Sequence, residues 1–148
     1  MVIDSINDGI VIDHITSGMS MVLYKYLGLD RLTCSVAIIK NAPSSKNGKK
    51  DIIKIDRPID IDIDILGYLD PGVSVNVIEN GEIVRKFQPE LPERIVGVIK
   101  CKNPRCISQD EQELTHIFKL TDRENRIYRC IYCESKAKTR GKFNEHLS

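Results

Sequence analysis

Residues 60–69 read DIDIDILGYL. From Asp60 to Ile65 the alternation is strict, which is the period of a half-buried strand. Wound as a helix over 60–69, the same residues set Ile61, Ile65, Leu66 and Leu69 on one side. Their acids then stand near the positive end of the helix dipole. The pattern favours a strand; the order of the neighbouring elements favours a helix. The choice decides the fold, because with a helix here residues 1–88 run β-α-β-β-α-β, the split βαβ or ferredoxin-like order.

Those neighbours read as follows. Residues 10–15, IVIDHI, form a β-rich run, and residues 17–29, SGMSMVLYKYLGL, have helical spacing with Ser17 or Ser20 as cap and Gly28 near the end. TCSVAIIK (33–40) and KDIIKID (50–56) are strands, separated by a polar loop, NAPSSKNGKK (41–50). VSVNVIENGEIVRKF (73–87) is a hairpin turning at Asn80-Gly81. The expected domain is a four-stranded antiparallel sheet with two helices on one face. QPELPERI (88–95) has two prolines and no periodicity, and marks a boundary. The expected domains are 1–92 and 93–148.

The chain has 148 residues, 41% apolar and 29% charged, with no tryptophan and 5% aromatics. The core is therefore aliphatic. Residues 1–88 carry 10 Lys and Arg against 12 Asp and Glu, a net −2; residues 89–148 carry 12 against 9, a net +3. Neither value argues for a nucleic acid or an acidic membrane as partner. No apolar run reaches the roughly 18 residues of a membrane helix. The start, with Asp4 and Asp8, lacks the form of a secretory signal. A cytoplasmic protein is expected.

Four of five cysteines stand in two pairs, CKNPRC (Cys101, Cys106) and CIYC (Cys130, Cys133), separated by 23 residues. In a reducing compartment such pairs point to a metal before disulfides. Two tight knuckles facing each other supply four sulfurs for a tetrahedral Zn2+, with disulfides and a rubredoxin-like iron site as the alternatives. Four thiolates leave no open position, so the metal is structural and the region needs it to fold. THIFKL and RIYRCIYC are its strands. His116 reads as a surface or packed residue, and Cys34 as a buried apolar one. The polar tail from Ser135 is expected to fray.

Asp13 and His14 end the first strand, Lys50 and Lys54 share one face of KKDIIKID, and Lys86 ends the hairpin. Each alone reads as a solvated sheet edge. Together they suit a nucleotide: a carboxylate for ribose hydroxyls, lysines and a histidine for phosphate oxygens. Neither G-x-x-x-x-G-K-[ST] nor G-x-G-x-x-G occurs. No nucleophile–base pair is evident, so binding is expected and catalysis is not. The rival reading is a nucleic-acid-binding zinc ribbon using Lys136, Lys138, Arg140 and Lys142.

GIVIDHI, GKKDIIKID, VNVIENGEIVRK, LPERI, CKNPRCIS and YRCIYCE occur in an order and spacing that resemble the regulatory chain of aspartate carbamoyltransferase along essentially the whole chain. The resemblance implies an α+β protein: a ferredoxin-like allosteric domain, with the helix at 60–69, and a small all-β zinc domain of rubredoxin or ribbon type. It implies no catalysis by this chain and effectors CTP, UTP and ATP. Asp13 and Lys54 would meet the ribose, Lys86 and His14 the triphosphate, and Ile6 and Ile78 the base. Lys50, Asn76 and Ile83 match other pocket positions. Asn103, Tyr132 and Glu134 match contacts to the catalytic chain. The implied assembly joins two catalytic trimers through three regulatory dimers, which pair through their allosteric domains. Gly81 stands where some members carry an aromatic residue, the arm before Ile3 is short, and Arg105 and Ser135 depart from the family pattern.

Overall fold

The computed structural model describes residues 6–45, 48–110 and 114–137. The chain divides into two compact units between Glu90 and Leu91. Most of the polar tail lies outside the described residues.

The first unit is one antiparallel sheet carrying two helices. Its strands are β1 (Gly9–Thr16), β2 (Val36–Ser44), β3 (Gly48–Ile55), β4 (Ser74–Glu79) and β5 (Glu82–Phe87), in the order β2-β3-β1-β4-β5. The first four give the expected split βαβ arrangement. The expected four strands become five because both arms of the 73–87 hairpin join the sheet. The turn is two residues long, with Asn80 at φ 53° and Gly81 at φ 79°, a geometry whose twist matches that of the strands. The loop expected at 41–50 is shorter: β2 continues to Ser44 and β3 starts at Gly48. Pairing between Ala42 and Lys50 keeps the backbone groups of this stretch bonded.

Helix α2 spans Ile63–Leu69, so the DIDIDIL alternation is not a strand. Its first half lies outside the helix. The Asp62 carboxylate accepts the Ile65 N–H at 3.1 Å, which caps the helix three residues later than expected. Leu66 and Leu69, three apart, are fully buried. Ile10, Ile12, Ile53, Ile55 and Val75, which register places on one face of the sheet, are buried as well, and each such burial stabilises by about 1.5–3 kcal/mol.

Helix α1 spans Ser20–Tyr26 and buries Val22 and Leu23. Its N-cap is Met19, without a side-chain bond, and not Ser17 or Ser20. The cap comes from elsewhere: buried Asp51 on β3 accepts the N–H groups of Gly18 (3.1 Å) and Ser20 (3.3 Å). Asp51 also accepts the Asn41 N–H at 3.0 Å. Asn41 has φ 59° and lies in a bulge of β2, so the same carboxylate satisfies a donor that the irregular strand frees. Cys34 precedes β2 and is only half-buried, not a core residue.

The second unit is a three-stranded antiparallel sheet, β6 (Arg94–Val96), β7 (Ile117–Asp122) and β8 (Ile127–Cys130), with a one-turn helix α3 (Ile107–Asp110). The boundary segment expected at 88–95 is thus partly ordered as β6, whose Ile95 pairs with Phe118 and is buried.

Candidate functional site

The sulfurs of Cys101, Cys106, Cys130 and Cys133 all lie within 4.8 Å of one another. Cys101 and Cys133 are separated by 3.5 Å, Cys106 and Cys130 by 3.7 Å. A tetrahedron with metal–sulfur bonds of about 2.3 Å has edges of roughly 3.8 Å, so these spacings suit one ion. They are far beyond the roughly 2.0 Å of a disulfide. Cys101, Cys106 and Cys130 are buried and Cys133 is half-buried.

Sequence brings these sulfurs together through two knuckles. The first turns at Asn103, whose carbonyl accepts the Cys106 N–H at 3.1 Å. The second leaves β8, and Glu134, at φ 65°, donates its N–H to the Cys130 carbonyl at 2.8 Å. Ser108 donates its hydroxyl to the Cys106 sulfur at 3.0 Å. Burial pushes the Cys101 thiol up to about 12, and burial raises Cys130 as well. Burial opposes the charge of Cys133 too, but hydrogen bonds from Ser135 and Asn103 outweigh it and bring that thiol to about 6. Four thiolates so close require a cation to neutralise them, and the donor set fits a thiophilic one. His116 is not among the converging groups; its Nδ1 accepts the Cys101 N–H at 3.0 Å.

Beside the knuckles, Asn103 bridges the two: its amide donates to Ser135 Oγ at 3.2 Å and its side-chain carbonyl accepts the Arg105 N–H at 3.0 Å. Tyr132 is 37% exposed and donates its hydroxyl to the Thr115 carbonyl at 3.1 Å. Glu134 is exposed. Ile107 and Ile131 are exposed apolar residues of the same unit, which sequence reading did not single out.

In the first unit, the face of the sheet away from the helices carries a row of partners in register. Lys54 lies opposite Val11, Val11 opposite Asn76, and Asn76 opposite Lys86. Strand pleating puts all four on one face, across about 14 Å of backbone from Lys54 to Lys86. Asn76 is 7% exposed and donates its amide to the Val11 carbonyl. At one end of this face Ile78 lies opposite both Gly9 and Ile83, and buried Ile6 packs over Gly9.

At the other end β1 bulges between Ile12 and Ile15, with His14 at φ 57°. The bulge keeps Ile12 and Ile15 both in the core while turning Asp13 and His14 outward. Lys50 meets Asp13 at 3.0 Å, and the His14 N–H donates to the Asp13 carboxylate at 2.7 Å. Burial works against the charge of Asp13, yet Lys50 and the His14 N–H outweigh it and hold the carboxyl below its ordinary range.

A cavity of about 600 Å³ opens here, lined by His14, Ile15, Thr16, Ser17, Ser44, Gly48, Lys49, Lys50, Gly72 and Gln88. Of the nine expected residues, His14 and Lys50 line it. Asp13 stands at its edge through Lys50, and Lys54, Asn76, Ile78, Ile83 and Lys86 extend from it along the sheet face. Ser17, Ser44, Gly72 and Gln88 were not expected. Ser17 and Gly72 lie in turns, Ser44 ends β2 and Gln88 follows β5, positions where no periodicity marks a side chain.

Two family models match the chain. One, described as the allosteric domain of the aspartate carbamoyltransferase regulatory chain, covers residues 1–90; the other, the metal binding domain of the same chain, covers residues 93–141. A regulatory chain of Clostridium botulinum is 52% identical over 134 residues, 90% of this chain and 92% of its own. That of Clostridium tetani is 50% identical over 135 residues, and that of Bifidobacterium longum 46% identical over 138, or 99% of its own length. These names describe regulatory, not catalytic, chains, and among the described residues no helix is long and apolar enough to cross a membrane. With four converging cysteines in one unit and a split βαβ sheet in the other, the chain belongs to the family of aspartate carbamoyltransferase regulatory chains.

Proposed function

We propose that the first unit binds a nucleoside triphosphate (CTP, UTP or ATP) and that the second, folded around Zn2+, docks on the catalytic chain of aspartate carbamoyltransferase. Control of pyrimidine biosynthesis in the cytoplasm follows from that pairing. The observation that carries the reading is the Asp13–Lys50–His14 bulge at the mouth of the cavity. Lys49, Lys50 and His14 surround a space suited to phosphate oxygens, and Lys86 offers a further cation along the sheet. Asp13, held ionised, suits ribose hydroxyls. The apolar end at Ile6, Ile78 and Ile83 suits a base.

Zn2+ is favoured for the metal because four cysteines in tetrahedral spacing form a closed structural set. The ion would fix the 101–106 and 130–133 loops, and so the shape that Asn103, Tyr132 and Glu134 present to the catalytic chain. Two catalytic trimers joined by three regulatory dimers, paired through the first unit, make the proposed assembly. Nucleotides sharing one cavity act oppositely when each prefers a different quaternary state. Each shifts that equilibrium only by its differential affinity, typically about 1–3 kcal/mol.

Reconstitution with the cognate catalytic trimer tests the reading. Aspartate saturation is measured with and without CTP, UTP and ATP. A shift in half-saturation with at least one of them is expected. Failure to associate with the trimer, or saturation curves indifferent to all three, contradicts the proposal.

A further inference from the structure

Immediately after β5 the chain enters the boundary between the units, and every residue of that boundary has a seat. Gln88 is exposed and lines the cavity with His14 and Lys50. Pro89 is buried. The Glu90 carbonyl lies so close to Gly67 of α2 that a methyl group at Gly67 would overlap it. A glycine inside a helix costs about 1 kcal/mol relative to alanine. Its bare Cα is what the passage of Glu90 requires. Helix α2 is in turn tied to the cavity wall. Asp70, at its C-terminal end, accepts both the N–H (2.7 Å) and the hydroxyl (3.0 Å) of Thr16, a lining residue.

From the next residue onward the chain is held by the second unit. Arg123 donates to the Leu91 carbonyl at 3.2 Å, Tyr128 to the Pro92 carbonyl at 2.7 Å, and the Leu120 N–H to the Glu93 carbonyl at 2.8 Å. A flexible linker dissipates a displacement over many backbone torsions. Here the two seats fall on consecutive residues, Glu90 and Leu91, and no free residue separates them.

We propose that Gln88 is a positioning residue: an occupant of the cavity contacts its amide at the head of a linker clamped on both sides, and thereby acts on the metal unit. The inference rests on the reading that a nucleoside triphosphate occupies the cavity. The Gln88 amide donates to phosphate oxygens, so a triphosphate holds Gln88 in one place where water does not. The clamp at Gly67 then carries that restraint into Leu91. His14 and Lys50 serve affinity alone, whereas Gln88 also carries the response.

The test uses the complex reconstituted with the catalytic trimer, comparing the unaltered chain, Gln88→Ala and Gly67→Ala. Nucleotide affinity is measured by calorimetry with CTP and with ATP. Response is the ratio of half-saturating aspartate with saturating nucleotide to that without, so that basal differences cancel. Both variants are expected, at saturating nucleotide and whatever the change in affinity, to lose about threefold or more of the response. Full response at saturation in Gln88→Ala overturns the inference, even if affinity falls, because Gln88 is then a ligand only. That variant removes an exposed side chain, so its result stands even where Gly67→Ala disturbs folding. An unaltered chain that does not respond contradicts the proposed function itself, and this inference with it.

Discussion

Among the described residues, prolines aside, fifteen apolar side chains are buried in the sheet unit and six in the metal unit, and three of those six are Cys101, Cys106 and Cys130. Ile95, Phe118 and Tyr128 contribute on the order of 1.5–3 kcal/mol each. The sheet unit has a layered aliphatic core. We propose that the metal unit depends on its ion, since metal binding in small zinc peptides is worth about 10–16 kcal/mol. The two halves divide the labour. On the proposed function, the half with its own core holds a ligand that comes and goes, and the half held by an ion presents a fixed surface.

The largest expected effect breaks the pair apart. Removing the metal, or replacing Cys106 with alanine, should unfold residues from Leu91 onward while the first unit stays folded. Amide dispersion by NMR reads both halves at once. Native dispersion in both, with the metal shown absent, would end the comparison.

The converse change is Leu66→Ala. It leaves a cavity under α2 and should cost the first unit about 2–5 kcal/mol, without releasing metal to a chromophoric chelator. Metal release in step with this destabilisation would mean that the units are not independent.

Asp51→Asn weakens the bonds to Gly18, Ser20 and Asn41 and should cost about 1–3 kcal/mol at neutral pH. Burial opposes the charge of Asp51, but the nearby Ser20 hydroxyl and the three N–H groups outweigh it, so its folded pKa is lowered. Its contribution is therefore complete above the ordinary aspartate value of about 3.9 and is lost as pH falls through the lower folded value. Acid unfolding of the two proteins should converge below that range; a constant gap would contradict the assignment. The metal unit should also weaken in acid, for a different reason. Cys101, pushed up to about 12 by burial, must lose its proton to bind the ion, so metal affinity falls with pH.

The smallest expected effect is Lys86→Ala. Lys86 is exposed, so nucleotide affinity should fall by roughly five- to tenfold, about 1 kcal/mol, with association to the catalytic trimer intact. Calorimetry checks the first outcome and gel filtration the second.

The metal centre was legible because cysteine spacing is a local signal, and the sulfurs do converge. The strands β1, β3 and the 73–87 hairpin were legible from period two. The helix at 63–69 was not legible from pattern, because its alternation belongs to the approach and only Asp62, the cap, belongs to the turn. The long-range devices left no signal. Asp51 caps a helix 31 residues away and Gly67 admits a carbonyl 23 residues later, and neither partner is near in sequence. The bulge at Asp13-His14 needed the register to be seen. So did the cavity walls at Ser17, Ser44, Gly72 and Gln88.

The most direct test of this division is nucleotide binding by the chain after its metal has been stripped. Isothermal calorimetry with CTP is compared before and after chelation, with residues from Leu91 onward shown unfolded. Affinity is expected to remain within about threefold, since the cavity and its sheet lie wholly in the first unit. Loss of CTP binding together with the metal would contradict it.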